Sequence, residues 1–258
     1  MLDLSVVVPV KNEAGNIKPL INEIEQALRG RYAYEIIYVD DGSTDSSVAE
    51  LEEMRQANAN VRYVQHRASC GQSAAVRTGV MLARGRLIAT LDGDGQNDPA
   101  DLPLMLSSYY EMARQAGGIK VKMVAGQRTK RNDSAVRRFS SRFANNIRAN
   151  LLKDETPDTG CGLKLFEREA FLRLPYFDHM HRFLPALMQR EGYSVALQSV
   201  NHRPRNKGTS KYGINNRLWV GIVDLLGVMW LQGRMKRPEV LVPEVDSEKD
   251  TPSLPLEV

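Results

Sequence analysis

The stretch TLDGDGQND gathers three carboxylates, Asp92, Asp94 and Asp98, within seven residues. It closes RLIATL, an apolar run that reads as a buried strand. Two carboxylates about 4 Å apart repel by roughly 1–4 kcal/mol, depending on the local dielectric. A solvated turn tolerates that cost, and a bound divalent cation turns it into a use. Mg²⁺ or Mn²⁺ takes one or two protein carboxylates and completes its shell with phosphate oxygens, which fits Asp92 and Asp94 at a strand end. Cations stand further along. Nine Lys or Arg lie between Lys120 and Arg148 with Asp133 the only acid, and NHRPRNKGTSKYG holds Arg203, Arg205, Lys207 and Lys211 with none. His179 and His181 form an H-x-H without a third ligand nearby in sequence.

The elements that must position these groups alternate. LSVVVPV, YEIIYVD, VRYVQ, RLIATL and KVKMVAG read as strands. Between them Ile17, Leu20, Ile21, Ile24 and Leu28 recur at helical spacing, and helices are expected through about Asn58, over 73–84 and near 100–116. Ser and Thr of GSTDSS offer caps to the second helix. Such alternation predicts an α/β fold with a mostly parallel central sheet and helices on both faces. Ligands of such sheets sit beyond the carboxyl ends of the strands. Those ends read PVKNE, VDDGSTD and LDGDGQND. The second half is less regular: a basic helix over roughly 135–152, a strand at GLKLFER, a helix over 180–191 and a strand at YSVALQSV.

Two phosphate-binding signatures are missing. PVKNEAGN after the first strand is not G-x-G-x-x-G, and no G-x-x-x-x-G-K-[ST] occurs. A diphosphate bound here needs neutralising by other means, and a carboxylate-held metal is the candidate.

The chain has 258 residues and a formal charge of +4. Residues 238–258 hold six acids and one lysine, so this Pro-rich tail carries −5 and the remainder +9. The tail is expected to be disordered, and the basic body suits a polyanionic partner. No run reaches the ~18–20 apolar residues of a membrane span. The nearest is LWVGIVDLLGVMWL, 218–231, interrupted by Asp224 and flanked by Arg217, Arg234, Lys236 and Arg237. It reads either as a buried helix or as an interfacial or partner-docking one. Met1 leads directly into LSVVVPV and only Cys70 and Cys161 occur, so the expectation is a reduced, cytoplasmic chain, peripheral at the inner face of a membrane. The basic loop lacks the aromatic platform of single-strand nucleic-acid binders, so nucleic acid is not an expected partner.

VVVPVKNE, VDDGSTD and LDGDGQNDP, in that order, resemble the family 2 glycosyltransferases. DTGCGLKLF, HRFLPAL and HRPRNKGTSKYG resemble the dolichol-phosphate mannose synthases and their bacterial polyprenyl-phosphate relatives within it. The likeness covers about residues 1–235, and the Q-x-x-R-W of processive synthases is absent. It implies a glycosyltransferase A-type, nucleotide-sugar-binding catalytic domain over 1–216, followed by the helix at 217–237 and the acidic tail. It also implies site roles. Pro9, Val10, Asn12 and Glu13 line the nucleotide pocket, Asp41 meets the base or ribose, and Gln72 approaches the nucleotide. Asp92, Asp94 and Gln96 hold Mg²⁺ or Mn²⁺. Arg128 and Arg142 clamp a lipid phosphate, and Arg205, Ser210 and Lys211 stand near the phosphates. Gly93 and Gly95 replace bulkier residues of the family, which predicts a looser turn. Asp158 matches a third aspartate but is not needed as a base, because a lipid phosphate is already ionised near neutral pH.

The function implied is an inverting transfer of a hexose from a nucleotide sugar to a polyprenyl phosphate, with GDP-mannose the first donor and a UDP-sugar the second. A soluble acceptor and a non-catalytic nucleotide-sugar-binding subunit are the rivals. Arg138, Arg142 and Arg148, the basic loop with Arg203, and the 218–231 helix with Trp219 and Trp230 are expected to form one surface for a membrane or a small membrane partner.

Overall fold

The computed structural model describes residues 2–115, 121–128, 148–149, 151–154, 156–204 and 214–236, with the backbone alone for 214–219. The alternation appears as expected: β1 (Leu4–Val10), α1 (Ile17–Leu28), β2 (Tyr34–Asp40), α2 (Ser47–Ala57), β3 (Val61–Gln65), α3 (Gln72–Leu82) and β4 (Leu87–Thr90). The helix expected near 100–116 divides into a 3-10 turn, Pro99–Asp101, and α4 (Leu102–Gln115). Then come β5 (Val121–Arg128), β6 (Lys164–Glu167), α5 (Arg168–Leu172), a 3-10 turn at Met180–Arg182, α6 (Leu184–Arg190), β7 (Ser194–Val200) and α7 (Ile214–Arg234).

The seven strands run in the order β3-β2-β1-β4-β6-β5-β7. Pairs among β1, β2, β3 and β4 are parallel, as is β5 with β7. β6 is antiparallel to both β4 and β5, with Thr90 opposite Lys164. The start of β6 therefore lies beside the end of β4, where the acidic turn begins.

Strand side chains alternate between two cores. Val6, Val8, Ile36 and Ala89 pack with Ile17, Leu20, Ile21 and Ile24 of α1 and with Leu102, Met105 and Leu106 of α4. Val7, Ile37, Val39 and Ile88 pack with Ala75, Val76 and Val80 of α3 and with Leu184, Leu187 and Val228. Both faces of the sheet are covered, which is why its strands read as continuous apolar runs.

Two basic residues expected on the membrane-facing surface are paired with acids. Arg148 is buried, donating to Asp154 Oδ2 and to the Thr156 carbonyl, with Asp154 only 1% exposed. Arg203 pairs with Glu23 and Asp98. In both cases a carboxylate that sequence order does not reveal as a neighbour outcompetes solvent. The acidic tail and most of the basic helix, Arg138 and Arg142 included, lie outside the described residues.

Removing one partner of a buried ion pair leaves the other charge uncompensated. Arg148→Ala should therefore lower the unfolding free energy by about 3–5 kcal/mol. Arg29→Ala, which breaks a pair whose arginine side chain is 72% exposed, should leave the denaturation midpoint nearly unchanged. Equal midpoints for the two variants in urea unfolding would contradict the burial of Arg148.

Candidate active site

The loops after β1 and β2 are bolted together. Asn12, in the left-handed region at φ 54°, accepts the Thr44 amide on its Oδ1 at 2.7 Å. Four successive amides are taken by side chains of the second loop and the start of α2: Asn12 N by Ser43 Oγ, Glu13 N by Ser47 Oγ, Ala14 N by Asp45 Oδ2 and Gly15 N by Glu50 Oε1. The hydroxyls of GSTDSS thus serve the neighbouring turn, and Ser46, the N-cap of α2, makes no side-chain capping bond. Amides that a glycine cradle would turn toward phosphate are already used here. Val10 is buried in the core, 3% exposed.

Asp41 does not point at open solvent. Its Oδ1 accepts from His66 Nδ1 and Cys70 N, and its Oδ2 from Ser69 Oγ and Gly71 N, at 2.6–2.9 Å. Burial alone would raise its pKa; the bonds from Ser69, Cys70, His66 and Gly71 outweigh that and hold it below the usual carboxylate range. Asp41 shapes the 66–71 loop that leads into α3.

That loop delivers Gln72, whose side-chain amide donates to Asp92 Oδ1 at 2.8 Å. The Asn97 side-chain carbonyl accepts Asp92 N at 2.9 Å, and Asp94 Oδ1 accepts Gln96 N at 3.1 Å. Asp94 is 7% exposed, so the solvated-turn reading does not apply. Burial first, then the Asp94 charge, pushes the Asp92 carboxyl above its ordinary range, against the pull of Lys164, Gln72 and Arg128. Asp98 leaves the group: it accepts Ala100 N and pairs with Arg203. The turn is not loose. A Cβ on Gly93 would lie 2.4 Å from Val10 Cγ1, and Gly95 sits at φ 74°.

Beyond the acids stand two cations. Arg128, at the end of β5, grips Asp158 with Nε to Oδ2 and Nη2 to Oδ1, both at 2.7 Å. Lys164 is 5% exposed and donates to the carbonyls of Cys161 and Thr159. Burial pushes the Lys164 ammonium down, while Asp92 and Asp158 favour its charged form. Sequence reading missed Lys164; its signal was a lone charge inside the apolar GLKLF. His181, read in sequence as half of an H-x-H, donates its backbone N–H to Ser73 Oγ at 3.2 Å. The Ser73 hydroxyl also lies 2.7 Å from His181 Nδ1, within hydrogen-bond reach of the ring. His179 turns away, its Nδ1 lying 3.1 Å from Asp224 of α7. The H-x-H is therefore split between two partners.

The structure brings together Asp92, Asp94, Gln96, Gln72 and Arg128 at the ends of β4 and β5, with the Pro9–Glu13 turn beside them. Arg142, Arg205, Ser210 and Lys211 lie outside the described residues. The oxygens of Asp92, Asp94 and Gln96 are hard donors, the chemistry that Mg²⁺ and Mn²⁺ select.

A Cβ on Gly162 would lie 2.2 Å from Asp92 Oδ2, so Gly162→Ala must displace that carboxylate. Turnover should fall about a hundredfold, the scale of an ångström misplacement, with an unchanged circular dichroism spectrum. Full turnover would show that this placement of Asp92 is not required. A second outcome concerns His181. Burial, then Arg182 and Lys164, holds its pKa well below the ordinary value. The unfolded chain therefore binds a proton that the folded one refuses as pH falls through ~6.5. Stability should drop below that pH by up to about 1.4 kcal/mol per unit. His181→Gln should flatten that slope in urea titrations, and an unchanged slope would refute the assignment.

Residues 5–174 match the family described as Glycosyl transferase family 2. The chain is 36% identical over 242 residues, 92% of its length, to a protein of Rhizobium johnstonii named dodecaprenyl-phosphate galacturonate synthase, of which it covers 69%. It is 30% identical over 83% of its length to an undecaprenyl-phosphate 4-deoxy-4-formamido-L-arabinose transferase of Shewanella sediminis, of which it covers 62%. The chain thus spans about two thirds of the length of these relatives. In fold it is similar to a crystal structure of glucosyl-3-phosphoglycerate synthase from Mycobacterium tuberculosis in complex with Mn²⁺, UDP and glucosyl-3-phosphoglycerate. The TM-score is 0.62 at 17% identity, over 90% of this chain and 80% of that one. A family match across β1 to β6, the acidic turn and the Arg128–Asp158 pair, together with a glycosyltransferase A-type strand order, makes this chain a member of glycosyl transferase family 2.

Proposed function

We propose that the chain is a divalent-metal-dependent transferase that moves a sugar from a nucleoside diphosphate to a polyprenyl phosphate. The observation that carries this is the pair of acids at the end of β4, Asp94 buried and Asp92 half-buried, with Arg128 and Lys164 beyond it and no free amide cradle after β1. Asp92, Asp94 and the Gln96 carbonyl would hold the ion, which when bound supplies positive charge to the leaving diphosphate. The chain's own work is positioning. Gln72 fixes the Asp92 carboxylate, and Asp158 fixes the Arg128 fork for an anionic oxygen. Pro9, Asn12 and Glu13 wall the nucleotide, and Asp41 sets the adjoining loop. Arg142, Arg205, Ser210 and Lys211, outside the described residues, are the remaining candidates for phosphate contact. A lipid phosphate attacks as an anion, so no general base is required; this agrees with Asp158 being committed to Arg128.

The sugars in the relatives' names, galacturonate and a formamido-arabinose, are not mannose. They favour the UDP-sugar donor over GDP-mannose, and a uronic acid first. Support for a lipid acceptor comes from α7. Its inner side packs through Val228 and Leu225, while Ile222, Val223, Leu226 and Trp230 are exposed on the outer side. Arg234 lies over the Trp230 ring at 5.7 Å. No helix among the described residues is long and apolar enough to cross a membrane. The outer face of α7 lies against the bilayer that holds the acceptor, with Trp230 at headgroup level.

The test is release of nucleoside diphosphate in the presence of undecaprenyl phosphate, with UDP-galacturonate, UDP-glucose and GDP-mannose compared. Release should require both the lipid phosphate and Mg²⁺ or Mn²⁺, be fastest with the UDP-uronate, and fall at least about a hundredfold in Asp94→Ala. Undiminished turnover in excess chelator, or turnover with soluble acceptors only, would reject the proposal. GDP-mannose as the best donor would reject the donor assignment alone.

A further inference from the structure

Among the described residues, one group away from the acidic turn sets three metal-ligating side chains together. Asp41, His66 and Cys70 have ligand atoms that all lie within 4.8 Å of one another. The backbone fixes two of them. β2 and β3 run parallel with Asp40 opposite Gln65, so the residues that follow, Asp41 and His66, leave the sheet side by side. His66 Nδ1 lies 2.8 Å from Asp41 Oδ1, and His66 Nε2 lies 3.0 Å from Thr78 Oγ1. Cys70 is exposed, its thiol held only by a 3.4 Å contact to the Ala68 carbonyl. A Cys-His-Asp nucleophile is not what this arrangement builds. That would need His66 Nε2 to face the thiol, and it faces Thr78.

We propose that Asp41, His66 and Cys70 form a three-ligand site for a borderline divalent ion of the Zn²⁺ class, with the fourth position open to water. One thiolate, one imidazole and one carboxylate make a set that Zn²⁺ takes and that the hard ions Mg²⁺ and Mn²⁺ do not select. Protons balance simply. The imidazole proton moves from Nδ1 to Nε2, where Thr78 Oγ1 already stands to accept it. The thiol gives its proton to water. The ion then replaces the Asp41–His66 hydrogen bond. Tetrahedral bonds of about 2.0–2.1 Å to N and O place those atoms about 3.3 Å apart, so the 2.8 Å pair must open by roughly half an ångström. Rotation of the exposed Cys70 brings in the sulfur. Ser69 Oγ, the amides of Cys70 and Gly71, and Thr78 remain as outer partners that orient the ligands. The site belongs to the ends of β2 and β3, not to the oxygen set of the acidic turn, and is independent of which sugar or acceptor the enzyme uses. Occupancy would tie the 66–71 loop directly before Gln72, the residue that holds Asp92.

The test uses the full chain stripped of metal and titrated with Co²⁺. One equivalent should produce a thiolate-to-metal charge-transfer band in the near ultraviolet and visible bands of a tetrahedral ion. Zn²⁺ should abolish both, and excess Mg²⁺ neither. Cys70→Ser should lose the charge-transfer band with unchanged circular dichroism, as expected for an exposed side chain. Cys161→Ser should keep it, since that thiol is buried and is not one of the three grouped ligands. His66→Gln should weaken Zn²⁺ binding by at least about tenfold. Absence of the band in the unmodified chain, its survival in Cys70→Ser, or unchanged affinity in His66→Gln would overturn the proposal.

Discussion

Asp92 and Asp94 must both stay beside one another at the buried end of a central strand, and much of the second half of the fold answers that demand. Unit charges about 4 Å apart at an effective dielectric of 20 repel by about 4 kcal/mol. The compensation comes from β6. Because β6 runs antiparallel, it begins where β4 ends, opposite Thr90, and brings Lys164 and Gly162 to the acids. A parallel strand in that place would start at the far end of the sheet. Gly162 is what lets the Asp92 carboxylate lie against the β6 approach, and Thr90 Oγ1 bonding the Gly162 carbonyl at 2.8 Å holds the two chains together. β5 then supplies Arg128, pinned by Asp158, so the positive charge beyond the acids is fixed in direction before any ligand arrives.

The amino-terminal half solves a different problem with the same economy of groups. In a doubly wound sheet the turn after β1 ordinarily offers amides to a phosphate. Here Ser43, Asp45, Ser47 and Glu50 take those amides, and Asn12 returns a bond to Thr44. The two loops become one rigid wall. Rigidity there costs the turn its anion-binding capacity, so under the proposed function the charge of a bound diphosphate would fall to the acidic turn and its ion, with Arg128 and Lys164 close by. The carboxylates of one end and the stapled amides of the other are two sides of a single arrangement.

Much of this was legible in the residues. Buried parallel strands announce themselves as apolar runs, so β1 through β5 followed from pattern, as did the gathering of polar and acidic residues at their carboxyl ends. What pattern could not supply was partnership across long sequence distances. Arg203 looks like a solvated cation in a basic loop until Glu23 and Asp98 are folded beside it. Arg148 looks like one more arginine on an amphipathic face until Asp154 closes on it. Asp98 looks like a third ligand until Ala100 N and Arg203 claim it. Lys164 was passed over because a single charge in an apolar strand has no local periodicity to interpret.

α7 shows how the same helix can answer both readings of its sequence. Asp224, the residue that argues against a membrane helix, lies within reach of His179, itself held in the left-handed region at φ 63°. His179 caps the 3-10 turn that carries His181, and His181 is bonded to Ser73, next to Gln72. A continuous set of contacts therefore runs from the outer helix to the carboxylate at the end of β4. Fixing Asp224 inward leaves Val223 and Trp230 more than half exposed, at 65% and 61%. Under the proposed lipid acceptor, that exposure has a physical use. The apolar outer face anchors on the side where the lipid phosphate must enter, while the inner face sets the distance from that surface to Gln72 and Asp92. An acceptor whose chain stays in the bilayer needs only its phosphate to cross that distance.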